Sequence, residues 1–169
     1  RDLFAVQVRV TDGVARSVAP SLSGRPQLLL AKKPTGDLEA YELYLKGLYL
    51  KERDGPRARE FFERAIARDP HFAAAWAAIA DTWLLRGRFT DANPWQFFEN
   101  ARNAAEKAIA LDPDLADAHA ALAAVYGDYQ WRWDDAEREY ERALALNPNH
   151  ANAHAGYAAL SVFRRKFDR

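Results

Sequence analysis

The chain has 169 residues, of which 49% are hydrophobic and 28% are charged. This composition can bury a core and excludes general disorder. The 24 basic and 24 acidic residues balance, which argues against nucleic acid or a membrane surface as a partner. The absence of cysteine excludes disulfides, thiolate metal sites and a cysteine nucleophile. No methionine occurs, even at position 1, so we expect an excerpt of a longer polypeptide. A cytoplasmic location is a separate expectation.

The first 37 residues differ in pattern from the rest of the chain. The stretch RDLFAVQVRVTDGVARSVAPSL is typical of one amphipathic helix, with Asp2 near its start and Pro20 near its end. The following GRPQLLLAKKPTG indicates a short helix and a turn. Residues 1–37 are therefore predicted to form a helical extension or linker.

The rest of the chain repeats one amphipathic phrase three times. The phrases are AREFFERAIARDP at 58–70, ARNAAEKAIALDP at 101–113 and AEREYERALALNP at 136–148. A second segment with helical periodicity follows each proline, so the unit is two helices. Alanine allows the helices to approach closely, large residues such as Phe62 and Tyr140 fill the gap to the next unit, and the proline ends the helix. The predicted units are 38–72, 73–115 with an inserted turn, 116–150 and a partial unit, 151–169.

Capping signals mark the starts of the second helices. Gly55-Pro56 opens the first of them. Asn93 is predicted to cap the second, with a proline in its first turn. Asp134 with Glu137 is predicted to form a capping box for the third.

This pattern resembles the tetratricopeptide repeat, in which small and aromatic residues recur at fixed positions over about 34 residues. The second unit departs from the pattern at Ala105, and the third has His119 where an aromatic is usual. The resemblance implies an all-α fold, a right-handed superhelix of antiparallel helix pairs. The residues of the second unit that carry the resemblance are Trp76, Ala80, Trp83, Gly87, Ala101, Ala108 and Pro113.

A second, more specific resemblance lies at the junction before the repeats. DLFAVQ, followed by KKPTGDLEAYELYLKGLYL, is similar to the corresponding junction of bacterial multidomain signalling proteins. In those proteins a tetratricopeptide region follows an adenylate/guanylate cyclase, a winged-helix regulator or a serine/threonine kinase domain. The resemblance implies that an effector domain lies outside this chain.

Catalytic and metal sites are not indicated by any pattern. His150 and His154 stand four residues apart, but no third ligand is placed by spacing. In their own units, His119 and His154 occupy the repeat position that Trp76 occupies in the second unit. Both histidines are therefore predicted to pack between helices. No nucleophile elbow and no phosphate-binding glycine loop occurs, so no enzyme, cofactor or metal is predicted.

Aromatic residues are concentrated at two turns. Trp131 and Trp133 lie in the turn of the third unit, while Trp95, Phe97 and Phe98 follow the inserted turn of the second. Base stacking is disfavoured because no basic stripe accompanies them. We expect these rings to wedge neighbouring helices, with the inserted loop over one end of the array.

The first helices of the units are predicted to line a groove that binds a protein or peptide partner. Its lining is small and apolar with a few acids and no central base. Clamping of a chaperone's C-terminal carboxylate is therefore disfavoured, and an apolar or weakly basic helix would suit better. The predicted groove residues are Leu43, Gly47, Leu50, Ala74, Ala77, Asp81, Leu84, Asp117, Ala120, Ala124, Asp128, Asn152, Ala155 and Ala159.

An alternative function is oligomerisation that controls an attached effector domain. The last unit stops after one helix and has no polar cap, so its apolar face is free to pair end to end with a second copy. The residues predicted for this self-association are Tyr157, Leu160, Val162 and Phe163.

Overall fold

The computed structural model of the chain describes residues 34–89 and 94–167. Within these ranges the regular structure is helical and contains no strand. The predicted N-terminal extension up to residue 33 and most of the inserted turn, residues 90–93, lie outside the described part. The helices are α1 (Leu38–Leu50), α2 (Gly55–Arg68), α3 (Ala73–Arg88), α4 (Trp95–Leu111), α5 (Ala116–Val125), a π turn (Tyr126–Gln130), α6 (Trp133–Leu146) and α7 (Ala151–Phe167).

Consecutive helices pack together, as expected for stacked helix pairs. The strongest contacts join α3 with α4, α1 with α2, and α5 with α6, and weaker ones join each pair to the next. The six repeat alanines are fully buried, which confirms the close approach predicted for them. They are Ala58, Ala65, Ala101, Ala108, Ala136 and Ala143.

Large rings of the second helices occupy space left by glycines. A Cβ atom on Gly47 would lie 2.4 Å from Cε1 of Phe62, and one on Gly156 would lie 2.2 Å from the hydroxyl oxygen of Tyr140. Phe62 is fully buried and Tyr140 is 3% exposed. Burying a side chain such as Phe62 stabilises the fold by about 1.5–3 kcal/mol, so these contacts hold neighbouring helices in place.

The helix starts agree only in part with the capping prediction. Asp54 accepts a hydrogen bond from the backbone N–H of Arg57 at 3.1 Å, and α2 begins at Gly55 as predicted. Asn93 lies outside the described residues. The capping box at Asp134 is wrong, because α6 already begins at Trp133 and Asp134 lies in its first turn.

Asp134 and Glu137, the two acids of the predicted capping box, bind side chains of the last helix instead. The guanidinium of Arg164 on α7 donates to Asp134 at 2.8 Å and also to Glu137. The Tyr157 hydroxyl, about two turns earlier on α7, donates to Glu137 at 3.2 Å. The acidic start of α6 therefore connects α6 to α7 across the last junction.

A side-chain ring nitrogen binds the turn that precedes α3, α5 and α7, the first helices of the second, third and fourth units. Trp76 Nε1, His119 Nε2 and His154 Nε2 each donate to the carbonyl oxygen of the proline six residues earlier, at 3.1, 3.0 and 2.7 Å. Both histidines therefore take the hydrogen-bonding place of Trp76, and the buried His119 packs between helices as predicted. The same prediction is wrong for His154, which is exposed. The shared property of the position is a ring N–H that satisfies a carbonyl at a helix end.

The π turn after α5 distinguishes the third unit. Pro113 and Pro148 are 35 residues apart, one more than the 34 of the tetratricopeptide pattern. A π turn closes over five residues rather than four and so accommodates one additional residue within a helix. The Arg132 N–H donates to the Tyr126 carbonyl at 3.0 Å, and Trp131 adopts the left-handed conformation with φ 56°.

Phe97 and Phe98 near the two turns pack as predicted, whereas Trp95 and Trp131 are 60% and 70% exposed. Phe98 stacks on Tyr129 with ring centroids 3.7 Å apart, and Trp95 meets the Tyr129 ring edge-on at 4.4 Å. Phe97 stacks on Trp83 at 5.8 Å. Trp131 is 70% exposed, so the prediction that it wedges between helices is wrong.

Candidate functional site

A groove of about 420 Å³ runs across helices from all four units. Its walls are small side chains of α5 and α7, the C-terminal half of α3 and the turn that follows α1. Alanine side chains leave room for another chain to approach the backbone. The predicted residues that line this groove are Asp81, Leu84, Ala120, Ala124, Asp128, Asn152, Ala155 and Ala159.

The other predicted groove residues lie elsewhere. Leu43, Gly47 and Ala77 are buried in helix packing. Leu50 and Ala74 are half-buried and pack against the hydrophobic core. The physical reason is that both neighbours of a first helix contact it, so fewer of its positions remain open than its amphipathic pattern suggests. Asp117 is exposed and lies beside the groove, where it accepts a hydrogen bond from His150.

Three basic residues line the groove that the sequence interpretation missed: Lys51, Arg88 and His150. Two of them continue the helical spacing of predicted positions, since Lys51 follows Gly47 by four residues and Arg88 follows Leu84 by four. Extending the same periodicity by one turn would have found them. His150 precedes α7 and has no such signal.

Each base is paired with an acid on another part of the solenoid. Lys51 Nζ lies 2.9 Å from Asp81 Oδ2, and Arg88 lies 2.5 Å from Asp128 Oδ2. These two pairs join the first unit to the second and the second to the third. A third pair connects His150 Nε2, at the start of α7, to Asp117 Oδ1 on α5 at 3.1 Å. We call these three contacts the groove ion pairs.

The environment shifts the proton equilibria of these groups. Burial raises the pKa of Asp81 despite the nearby Lys51 ammonium. The hydrogen bond from His150 lowers the pKa of Asp117, and the same bond raises the pKa of His150. His150 Nδ1 accepts the Ala153 N–H at 3.2 Å, so Nε2 carries the proton that Asp117 accepts. In the groove, Asp81 and Asp128 are therefore each paired with a cation, and Asp117 accepts a hydrogen bond from His150.

The geometry offers binding surface rather than reactive groups. Among residues 34–89 and 94–167, no three histidine, cysteine, aspartate or glutamate side chains are arranged to hold a metal ion. His154, one of the two histidines considered for metal, faces the Pro148 carbonyl. In the described part, no helix has the length and apolar character needed to cross a membrane.

The predicted self-association residues divide into two groups. Leu160 is 5% exposed, and Tyr157 packs on Tyr140 with ring centroids 6.2 Å apart. Val162 is 66% exposed and Phe163 is 54% exposed. Only the latter two present a large apolar surface to solvent.

Comparison with known proteins identifies the architecture. A tetratricopeptide repeat family model matches residues 48–95. Among curated proteins, none matches the sequence significantly. Solved structures similar to this chain are tetratricopeptide domains.

The Sgt2 domain of Aspergillus fumigatus aligns with a TM-score of 0.64 and 17% identity over 82% of this chain and 87% of that one. The Arabidopsis OM64 domain aligns with a TM-score of 0.61 and 19% identity, over 74% of this chain and 96% of that domain. The second tetratricopeptide domain of human RPAP3 was solved in complex with an HSP70 peptide. It aligns with a TM-score of 0.56 and 24% identity, over 73% of this chain and 96% of that domain. Similarity at this level shows the fold, a tetratricopeptide-type α-solenoid, and so confirms the predicted fold class.

Proposed function

We propose that this tetratricopeptide-type solenoid is a non-catalytic interaction module that binds a peptide or helix of a partner protein in its groove. The observation that carries the proposal is the groove of about 420 Å³, lined by alanines of α5 and α7. Small side chains let a partner backbone come close, which gives van der Waals contact along its length. The peptide held by the similar RPAP3 domain supports this use of the fold.

The groove ion pairs indicate the kind of partner. A strongly acidic or basic segment would have to displace an existing partner from Lys51, Arg88 or His150. Breaking the Lys51–Asp81 pair, the one in which both partners are mostly buried, leaves a partly desolvated charge behind, which is costly. An uncharged, apolar segment leaves all three pairs intact. The charge pattern therefore favours an apolar segment over the acidic tail or weakly basic helix.

The wider role of the module is proposed from the sequence. The resemblance of DLFAVQ and the segment through Leu50 to a signalling-protein junction supports a regulatory or sensory arm of a larger bacterial protein. A cytoplasmic location is part of this proposal.

The binding proposal is tested by selecting peptides on the wild-type protein and measuring their binding to a variant with a blocked groove. Dodecamers would be selected from a random display library on the wild-type protein, and their dissociation constants measured by calorimetry. The Ala155→Arg variant puts a long side chain into the groove, whereas Ala158→Arg adds the same chain at an exposed position outside it. We expect at least tenfold weaker binding to Ala155→Arg and unchanged binding to Ala158→Arg.

Two results would contradict the proposal: recovery of no specific peptide, or equal binding to both variants. The same calorimetry would be performed with the peptide SGPTIEEVD, which the RPAP3 domain binds. Because the groove bases are already paired, we expect it to bind at least tenfold more weakly than the selected peptides.

Oligomerisation is the second candidate function, favoured by the exposure of Val162 and Phe163 on α7. It predicts a concentration-dependent dimer in light scattering that Val162→Ser with Phe163→Ser abolishes. A monomer at every concentration would contradict it.

A further inference from the structure

A second, more apolar cavity of about 400 Å³ lies between the π turn and α7. We call it the aromatic recess. Its main walls are the side chains of Phe98, Trp131, Trp133, Tyr140, Leu160 and Phe163. Aromatic side chains therefore come from α4, the π-turn region, α6 and α7, so the recess requires three units to be in place.

The π turn shapes this recess. It brings Gly127 into the wall, where Ala136 and Leu160 are the neighbouring side chains. It also ends at Trp131, the only described non-glycine residue with positive φ. A bulky residue in the left-handed region is unfavourable, and such strain is concentrated at functional sites.

Strain and exposure coincide at Trp131. Its ring is 70% exposed at the rim of the recess, so it gains little from burial to offset the unfavourable backbone. Asparagine or glycine would occupy the same turn with less strain. Packing within the chain therefore does not account for tryptophan here, whereas contact with a partner would.

The recess opens into the groove. Arg88, Asp128, Tyr140 and Gly156 line both cavities. Arg88 and Asp128 are paired with each other at 2.5 Å, so the passage between the cavities has no net charge. A charged ligand would be attracted by one member of this pair, repelled by the other, and would have to break the pair to bind. This charge arrangement selects a neutral occupant.

We infer that the aromatic recess receives one bulky apolar side chain, leucine, phenylalanine or tryptophan, of the partner segment that lies in the groove. This inference rests on the proposed function and specifies its anchor. Large apolar side chains in desolvated pockets supply most of the affinity of many interfaces. The groove then accommodates the backbone, and the recess determines which segments bind.

The peptides selected on the wild-type protein are the probe. We expect them to share one large apolar residue, and replacement of that residue by serine to weaken binding at least tenfold. Trp131→Gly and Trp131→Asn suit the left-handed turn, so both are expected to fold and to bind at least tenfold more weakly. Phe163→Ser removes a wall of the recess, and Phe89→Ser, at a residue 82% exposed and outside both cavities, is its matched control.

The outcomes separate this inference from the proposed function. Peptides lost by Ala155→Arg but bound equally by wild type, Trp131→Gly and Phe163→Ser would keep groove binding and overturn the anchor. Selection of charged peptides without a shared apolar residue would also overturn it. Absence of any specific peptide would overturn both. If Phe163→Ser changes only the oligomeric state, the recess belongs to contacts between copies, and the inference is wrong.

Discussion

Gly47 provides the sharpest test of the packing described above, because the sequence pattern placed it in the groove and the structure places it in the core. In an open helix position, Gly47→Ala would raise the free energy of unfolding by about 1 kcal/mol through helix propensity. In the structure, the new Cβ would lie 2.4, 2.6 and 2.8 Å from three atoms of the Phe62 ring. The two interpretations therefore predict effects of opposite sign.

The magnitude follows from how far Phe62 must move. Carbon atoms pack at about 3.5–4.0 Å, so the ring or the helix must shift by about 1 Å. Phe62 is fully buried, and Tyr44 packs on it with ring centroids 5.7 Å apart, which leaves it little room. Overpacking of this kind costs about 1–3 kcal/mol. Taking the upper end less the propensity gain, Gly47→Ala lowers the free energy of unfolding by about 2 kcal/mol.

The assay is thermal and urea unfolding followed by circular dichroism. A loss of about 2 kcal/mol lowers Tm by about 4–8 °C for a chain of this size. Gly127→Ala is the control, because its new Cβ would lie at ordinary contact distances of 3.4 and 3.7 Å from Ala136 and Leu160. We expect the control to leave Tm unchanged or to raise it slightly.

A double mutant identifies the contact itself. Phe62→Leu removes part of the ring that Gly47→Ala would meet, so the combined loss is expected to be smaller than the sum of the single losses. The reasoning would be refuted if Gly47→Ala were as stable as the wild type or more stable.

Two further predictions concern charged contacts. His119 donates from Nδ1 to Glu139 at 2.6 Å and from Nε2 to a carbonyl, and although burial opposes its charge, these bonds raise its pKa above 6.5. Its contribution to stability is therefore fully present below pH 6.5 and is lost as the pH rises through the folded-state pKa. His119→Ala should reduce this pH dependence of Tm between pH 5 and 9, and an unchanged profile would contradict the assignment. Separately, Lys51→Ala leaves Asp81 desolvated without its base and should cost about 1–2 kcal/mol in urea unfolding, since the pair is three-quarters buried. Lys51→Ala with Asp81→Ala should regain part of that loss, and an unchanged single variant would show that solvent already screens the pair.

The periodic features of the sequence predicted the fold well. The buried alanines, the ring position shared by Trp76 and His119, and the helix start at Gly55 all follow from local spacing and helix chemistry. Each depends on residues within one unit. The sequence of a single unit is therefore enough to predict these features, and the identity of the neighbouring unit is not needed.

Features that depend on neighbouring units were harder to predict. Gly47 and Ala77 have the spacing of an open helix face, but adjacent helices cover them. Asp134 has the sequence of a cap, but Arg164, thirty residues later, binds it. The π turn leaves only a one-residue change in proline spacing, and the conformation of Trp131 follows from that turn. Contacts of this kind require the three-dimensional arrangement.

The groove ion pairs have a mechanical consequence. Each spans a different junction on the same face, so bending that opens the groove stretches all three at once. In a solenoid each unit contacts only its neighbours, and the flexibility of the whole is the sum of its junctions. The three pairs therefore add polar links on the groove face to the helix packing that joins the units. A binding partner that draws one base away from its acid would loosen a single junction, and the force needed to straighten the molecule would fall at that point alone.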